Sequence, residues 1–197
     1  MAKKKTIKSL TKELETAQGR AVISKIYQDR ASLYHDMEDY ENAIKDYEKA
    51  LEYEPQRPKR ANIHQCIAKI YEKQENFDKA ENEFNLAIET DPCYDTYIHR
   101  ANFYERCDAT EKSEQNRKNA LESDPMDYIG YANRGDDYKD KGEYIKAIND
   151  YTKAIELVEK DNCQGISDLY KNRAELCKKL SELDFAKAKE IGYKHID

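Results

Sequence analysis

The apolar positions of the chain recur at helical spacing. Aromatic side chains come in pairs seven residues apart, which is two helical turns, so both members of a pair lie on one face of a helix. The pairs are Tyr27 and Tyr34, Tyr40 and Tyr47, Phe77 and Phe84, Tyr97 and Tyr104, Tyr131 and Tyr138, and Tyr144 and Tyr151. This pattern predicts a series of amphipathic α-helices.

In three of these helices an alanine follows each aromatic residue by three positions. Large and small residues therefore alternate along one stripe, and a neighbouring helix can approach that stripe closely. The stripe is predicted to be a packing surface. The alanines are Ala43, Ala50, Ala80, Ala87, Ala147 and Ala154.

Short polar turns divide the helices into hairpins, at Glu38-Asp39, Glu75-Asn76 and Gly142-Glu143. Asp39 and Asn76 are suited to cap the second helix of a hairpin, and Gly142 to end the first. Prolines then follow the second helices, where a fixed φ and a missing amide stop the helix. These are Pro55, Pro92 and Pro125, which lie 37 and 33 residues apart, so the period is about 34 residues.

The repeat resembles the tetratricopeptide family, whose signature of about 34 residues is a helical hairpin with A-x3-F in its second helix and a proline after it. The resemblance covers roughly residues 21–197. In the first repeat the signature positions are Tyr27, Arg30, Ala31, Tyr34, Ala43, Tyr47, Ala50 and Pro55. In the second they are His64, Ile67, Ala68, Tyr71, Ala80, Phe84, Ala87 and Pro92. In the fourth they are Tyr131, Arg134, Gly135, Tyr138, Ala147, Tyr151 and Ala154.

The third and fifth repeats depart from the signature in their second helices. Where tyrosine, alanine and phenylalanine are expected, the third repeat has Thr110, Ser113 and Arg117. A lost buried aromatic side chain forfeits roughly 1.5 to 3 kcal/mol of transfer free energy, so this repeat is predicted to be a weak joint of the array. The fifth repeat follows a polar insertion at 161–166, and its second helix is expected near 183–191.

The resemblance implies an all-α fold, a right-handed solenoid of about five antiparallel helix pairs of which the third and fifth are degenerate. Residues 1–20 are expected to form an amphipathic capping helix before it, because Ile7, Leu10 and Leu14 share one face. The repeat domain is expected at 21–197, with repeats near 24–57, 61–93, 94–127, 128–161 and 167–197.

Composition narrows the class of protein. The net charge of −6 argues against a general nucleic-acid binder, which needs a basic stripe to neutralise phosphates. No apolar run approaches the roughly 20 residues that cross a bilayer, and no secretory signal is visible, so a cytoplasmic protein is expected. The five cysteines are an odd number without CxxC spacing, which fits neither a disulfide framework nor a zinc finger.

No motif of catalysis is present in the sequence. A phosphate-binding glycine loop, HExxH, a nucleophile elbow and a pair of carboxylates in a defined pocket are all missing, so neither an enzyme nor a cofactor is expected. Cys66 and His99 lie one repeat apart on the same face of the array, but two ligands without a third predict no metal site.

Arginine precedes the small residue of the first helix in four repeats, at Arg30, Arg100, Arg134 and Arg173. One interpretation is a ladder that grips acidic peptides or phosphates. The alternative is structural, since Asp46 and Asp150 follow Arg30 and Arg134 by sixteen residues and would face them across the hairpin. We favour ion pairs within these two repeats. Arg100 and Arg173 lack the aspartate and are expected to be the freer pair.

The sixteen tyrosines invite a role in phosphorylation or base stacking. Twelve of them occupy packing positions of the repeat, so a structural role is favoured. The exceptions are Tyr53, Tyr94, Tyr128 and Tyr193.

The resemblance also implies a concave groove lined by the first helices, which in this family receives a peptide. By analogy its lining includes Gln28, Ser32, Gln65, Lys69, Ile98, His99, Asn102, Asn133, Asp136 and Asn172. The family's clamp for a terminal carboxylate is not implied, because Gln28, Gln65 and Ile98 stand where its first lysine would be. The function expected is a scaffold or adaptor that binds a protein or peptide. The alternatives are a self-assembling structural oligomer and, less favoured, an RNA-binding helical repeat.

Overall fold

The computed structural model describes residues 6–161 and 166–190, and within these ranges every regular element is an α-helix. The expected all-α class of paired helices is therefore confirmed. The chain divides after Ser123 into two compact units. This division directly follows the second helix of the third repeat.

The first unit consists of a leading helix and three helical hairpins. Helix α1 packs on α2, α2 pairs with α3, α4 with α5, and α6 with α7, while α3 contacts α4 and α5 contacts α6. The second helix of the third repeat is thus formed despite its altered signature. The helices are α1 Ile7–Thr16, α2 Arg20–Asp36, α3 Tyr40–Tyr53, α4 Arg57–Lys73, α5 Phe77–Thr90, α6 Tyr94–Arg106 and α7 Thr110–Ser123.

The second unit consists of one hairpin and a long helix. Helices α8 Tyr128–Asp140 and α9 Tyr144–Asp161 form the hairpin, and α10 Ile166–Glu190 packs on α9. The prediction of a fifth hairpin is wrong within the described residues. The two helices predicted for it are there one continuous helix of 25 residues. Residues 178–183 contain no glycine, proline or asparagine to end a helix.

The alternating aromatic and alanine stripe is the core of both units. All six stripe alanines are 0% exposed, as are Phe84 and Tyr151. Phe77, by contrast, is 49% exposed, so the first aromatic residue of its pair lies at the rim. Tyr53 and Tyr128 prove to be packing residues as well, since the Tyr53 ring stacks on Tyr27 and Tyr128 packs against the core of the second unit. Tyr193 lies outside the described residues.

The predicted caps are confirmed. Asp39 accepts a hydrogen bond from the backbone N–H of Asn42, and Asn76 accepts one from that of Lys79. Gly142 has a φ of +77°, the left-handed conformation that ends α8. Three other turns put residues with side chains into this conformation, with φ of +60°, +57° and +56° at Glu38, Glu75 and Asp108.

Glycine at Glu38 or Glu75 is expected to stabilise the first unit. The left-handed conformation costs a residue with a side chain about 1 to 2 kcal/mol, which glycine avoids. The greater conformational freedom of glycine in the unfolded chain offsets about 0.5 to 1 kcal/mol of this gain in stability. Each of Glu38→Gly and Glu75→Gly should therefore raise the free energy of unfolding by about 0.5 to 1 kcal/mol in urea denaturation. Met37→Gly is the control, because Met37 has a φ of −92° and should gain nothing. Equal effects at Met37 and Glu38 would contradict the explanation.

Candidate functional site

The first helices of the three hairpins in the first unit share one exposed face. We call this the inner face. Where α2, α4 and α6 end, it contains a cleft of about 540 Å³. Basic side chains at these helix ends are favoured, because the backbone carbonyl groups left unpaired there carry partial negative charge. The residues that line the cleft are His35, Lys69, Glu72, Lys73, Glu75 and Arg106.

The cations of this cleft differ in their partners. Arg106 is bound by Glu72, with Nη2 donating to Oε2 at 2.8 Å and Nε contacting the same carboxylate. Lys69 and Lys73 are exposed, and within the described part of the chain neither makes a hydrogen bond or an ion pair. The inner face therefore carries two ammonium groups that a ligand can reach.

His99 lies beside these charges on α6 and is half-buried. Burial lowers the pKa of its imidazole, and the positive charges of Lys69 and Arg106 lower it further, while Asp95 acts in the opposite direction. The structure thus brings together Lys69 of α4 with His99 and Arg106 of α6.

Asn102 follows His99 by one turn on the same helix. Its Oδ1 accepts a hydrogen bond from Nη2 of Arg117 at 3.2 Å, and the same nitrogen donates to Oε2 of Glu105 at 2.7 Å. Arg117 comes from α7, and its side chain is 13% exposed. Sequence comparison of the repeats showed Arg117 only as a departure from the signature and did not reveal this contact.

The other groove candidates of the first unit vary in exposure. Ser32 is exposed and Ile98 is half-buried. Gln28 donates to Oγ of Ser24 at 3.0 Å. Gln65 is only 4% exposed, so its side chain lies in the core and offers no surface to a ligand.

Three candidates lie in the second unit. Asn133 is exposed. Asp136 accepts hydrogen bonds from the Tyr151 hydroxyl at 2.6 Å and from Lys139 Nζ at 2.8 Å. Burial alone would raise the pKa of Asp136, but these two bonds outweigh it and lower the pKa. Burial and Asp136 raise the pKa of Tyr151, and Asn172, which is half-buried, acts in the opposite direction. Asp136 is thus bound to a core tyrosine.

The arginines of the repeat are held by internal partners. Arg30 binds Asp46 through two bonds of 2.6 and 2.7 Å, and Arg134 binds Asp150 with the same two distances, which confirms the predicted ion pairs.

The expectation that Arg100 and Arg173 are freer is wrong. Arg100 donates to Oδ1 of Asn116 at 2.8 Å and to Oδ1 of Asn85 at 2.6 Å. Arg173 donates to the Thr152 hydroxyl at 3.1 Å. Side-chain oxygens without charge thus replace the aspartate, so no ladder of unpaired arginines exists among the residues described.

Neither a metal cluster nor a membrane span is apparent in residues 6–161 and 166–190. No group of three or more histidine, cysteine, aspartate or glutamate side chains there could hold a metal ion. None of the helices there is both long and apolar enough to pass through a bilayer.

Comparison with protein families and solved structures gives a consistent result. Tetratricopeptide repeat models match residues 22–92 and 130–161, together just over half of the chain. No curated protein is a significant match to the sequence.

Among solved structures, BtubC from P. vanneervenii is 18% identical, with a TM-score of 0.62 over 97% of this chain and 93% of that one. A tetratricopeptide repeat protein from Parabacteroides merdae is 25% identical, with a TM-score of 0.52 over 95% and 72%. YrrB, described as a TPR protein with an unusual peptide-binding site, is 18% identical, with a TM-score of 0.51 over 89% and 86%.

Proposed function

This chain belongs to the tetratricopeptide repeat family, and we propose that it is a protein-binding scaffold whose inner face in the first unit holds a peptide segment of a partner. The observation that carries the proposal is the contrast between its two kinds of surface. The aromatic and alanine stripes are buried against one another, whereas Lys69 is exposed near His99, one helical turn before Asn102 on α6, and has no partner of its own in the described structure. Unpaired polar groups around a cleft are typical of a binding surface.

The structural neighbours support this proposal without identifying the ligand. YrrB is a TPR protein with an unusual peptide-binding site, and its helices superpose on most of this chain. A peptide that lies along the inner face would exchange hydrogen bonds to water for bonds to Lys69 and Asn102. The net gain per bond is modest, about 0.5 to 1.5 kcal/mol for neutral pairs and about 1.5 to 3 kcal/mol when one group is charged.

Reversing the charge of Lys69 is expected to weaken peptide binding at least about tenfold, because a charged contact is lost and a repulsive one is added. The measurement is affinity selection of short random peptides on the immobilised full chain, followed by titration of the selected peptides against Lys69→Glu. Lys118→Glu is the matched control. It makes the same charge change on α7, where Lys118 is 63% exposed and lies 3.7 Å from the Glu122 carboxylate.

Circular dichroism must show that Lys69→Glu keeps the helical content of the wild-type chain. Retention of full peptide affinity by a folded Lys69→Glu protein would show that the inner face is the wrong surface. Loss of affinity in Lys118→Glu as well would point to a general effect of net charge.

Self-association is the alternative, and one observation favours it. Helix α10 exposes Leu183 and Phe185 to 51% and 46%, on the part of the helix that follows its buried residues Leu169 and Leu176. Light scattering across concentration distinguishes the two functions, since a chain that selects peptides and stays monomeric needs no copy of itself for binding.

A further inference from the structure

We infer that Arg117 is a positioning residue for the inner face, where it fixes Asn102 as a hydrogen-bond donor and so selects peptides that carry a carboxylate side chain. This inference rests on the proposed function, because it concerns which ligand the same face accepts.

The hydrogen-bonding chemistry of the pair dictates the orientation of the Asn102 amide. A guanidinium group has only donors, whereas an asparagine amide has an oxygen acceptor on one side and an N–H2 donor on the other. The atom of Asn102 that meets Arg117 Nη2 at 3.2 Å must therefore be the oxygen. The opposite orientation would place two donors against each other.

The N–H2 group of Asn102 is consequently turned away from α7. It has no hydrogen-bond partner in the described structure, and it is not one of the buried polar atoms that lack a partner. Asn102 is half-buried, so this donor is at least partly accessible to solvent. The hydrogen bond from Arg117 favours the orientation in which Asn102 presents that donor.

Arg117 occupies a position at which the other complete repeats have a core aromatic residue. Tyr47, Phe84 and Tyr151 fill it in the first, second and fourth repeats, and each is at most 8% exposed. An arginine at this position lacks the packing of an aromatic ring and instead donates hydrogen bonds to Asn102 and Glu105. A residue that breaks the local packing rule and at the same time contacts the candidate site is expected to serve the site.

The polar groups of α4 and α6 on this face indicate the chemical class of the ligand. The ammonium of Lys69 is a second unpaired donor, and His99 interacts electrostatically with it. Two carboxylates close to the site in sequence, Glu72 and Glu105, are bound by Arg106 and Arg117, while Glu75 of the cleft and Asp95 near His99 remain available. The donors that a ligand can reach are the Asn102 amide and the ammonium groups of Lys69 and Lys73, so this set of donors carries positive charge. A carboxylate, which only accepts hydrogen bonds and carries negative charge, complements it.

The test compares three variants of the full chain in selection of short random peptides and in thermal denaturation. Arg117→Phe restores the aromatic residue of the other repeats, Arg117→Lys keeps a donor to Asn102, and Asn102→Asp removes the amide donor while keeping an acceptor for Arg117. The wild-type chain is expected to enrich peptides with aspartate or glutamate. Arg117→Phe should match or exceed the wild-type melting temperature yet bind those peptides roughly tenfold more weakly, about the loss of one hydrogen bond to a charged group.

The other two variants separate positioning from a purely structural role. Asn102→Asp leaves the core unchanged and should lose peptide affinity as Arg117→Phe does, whereas Arg117→Lys should recover part of it. If Lys69→Glu abolishes binding but Arg117→Phe and Asn102→Asp bind like the wild type, the inference is overturned and the proposed function stands. Enrichment of peptides without acidic residues would overturn the ligand class. If the wild-type chain enriches no peptide, or if Lys69→Glu also binds normally, the proposed function itself fails.

Discussion

Replacing Phe84 with alanine is expected to lower the free energy of unfolding of the first unit by about 3 to 5 kcal/mol. The Phe84 side chain is 0% exposed, and its ring centroid lies 5.2 Å from that of Phe103. Ala68 and Ala80 pack into the same cluster, and their short side chains cannot extend to fill the space that a missing ring would leave. Urea denaturation followed by far-UV circular dichroism measures the loss, and hydrogen exchange in α4–α6 assigns it to this unit.

The matched control is Phe77→Ala in the same helix. Phe77 is seven residues earlier and is 49% exposed, so only about half of its side chain contributes transfer free energy to folding. Phe77→Ala is therefore expected to lower the free energy of unfolding by about 1 kcal/mol. Similar losses at Phe77 and Phe84 would contradict the observed burial. A loss at Phe84 confined to α8–α10 would contradict the assignment of this core to the first unit.

This difference shows what periodicity can predict. Spacing of seven places Phe77 and Phe84 on one face, and both were expected to pack. Periodicity does not say where the neighbouring helix ends, and Phe77 is the first residue of α5, where that cover is incomplete. The helical hairpins, caps and buried alanines were therefore predictable from local sequence, whereas the extent of burial required the positions of neighbouring helices.

The polar interactions were predictable only where charge made them obvious. Arg30 with Asp46 follows from opposite charges at a spacing that crosses the hairpin. Arg100 was expected to be free because Asn116 is uncharged. An amide oxygen can nevertheless accept a hydrogen bond from a guanidinium group with the same geometry as a carboxylate oxygen. A long side chain can also reach across an interface, as Arg117 does to Asn102, and nothing in the spacing of the sequence indicates its direction.

The candidate site was predicted in part. Lys69, His99 and Asn102 were expected on one surface by analogy, and the structure places Lys69 near His99 and Asn102 one turn further along α6. Gln65 was expected on the same surface and is equivalent in the repeat to Gln28 and Ile98, which are half-buried, but Gln65 is only 4% exposed, and its position in the repeat does not indicate that difference. Arg106 and Lys73 were not selected from the sequence, although basic residues in the last turn of a helix are a recognisable signal.

Removing the carboxylate of Asp150 is expected to cost the second unit about 3 kcal/mol, because it leaves the Arg134 guanidinium charged and without its partner. The two side chains are 20% and 8% exposed, so water can replace the lost bonds only poorly. Burial by itself would lower the pKa of Arg134, but the bonds to Asp150 hold it above the ordinary value for arginine, so the charge persists in the folded protein. Urea denaturation of Asp150→Ala, with hydrogen exchange in α8–α10, measures the effect.

Two further variants show whether the cost comes from the lost pair or from the orphaned charge. Asp150→Asn copies the arrangement of Arg100 and Asn116 in the third repeat and should cost only about 1 kcal/mol, because an oxygen acceptor remains. The double variant Arg134→Met with Asp150→Leu removes both charges and should lie within about 1 kcal/mol of the wild type. If the double variant is as unstable as Asp150→Ala, the pair itself contributes the stability, and the explanation by an orphaned charge is wrong.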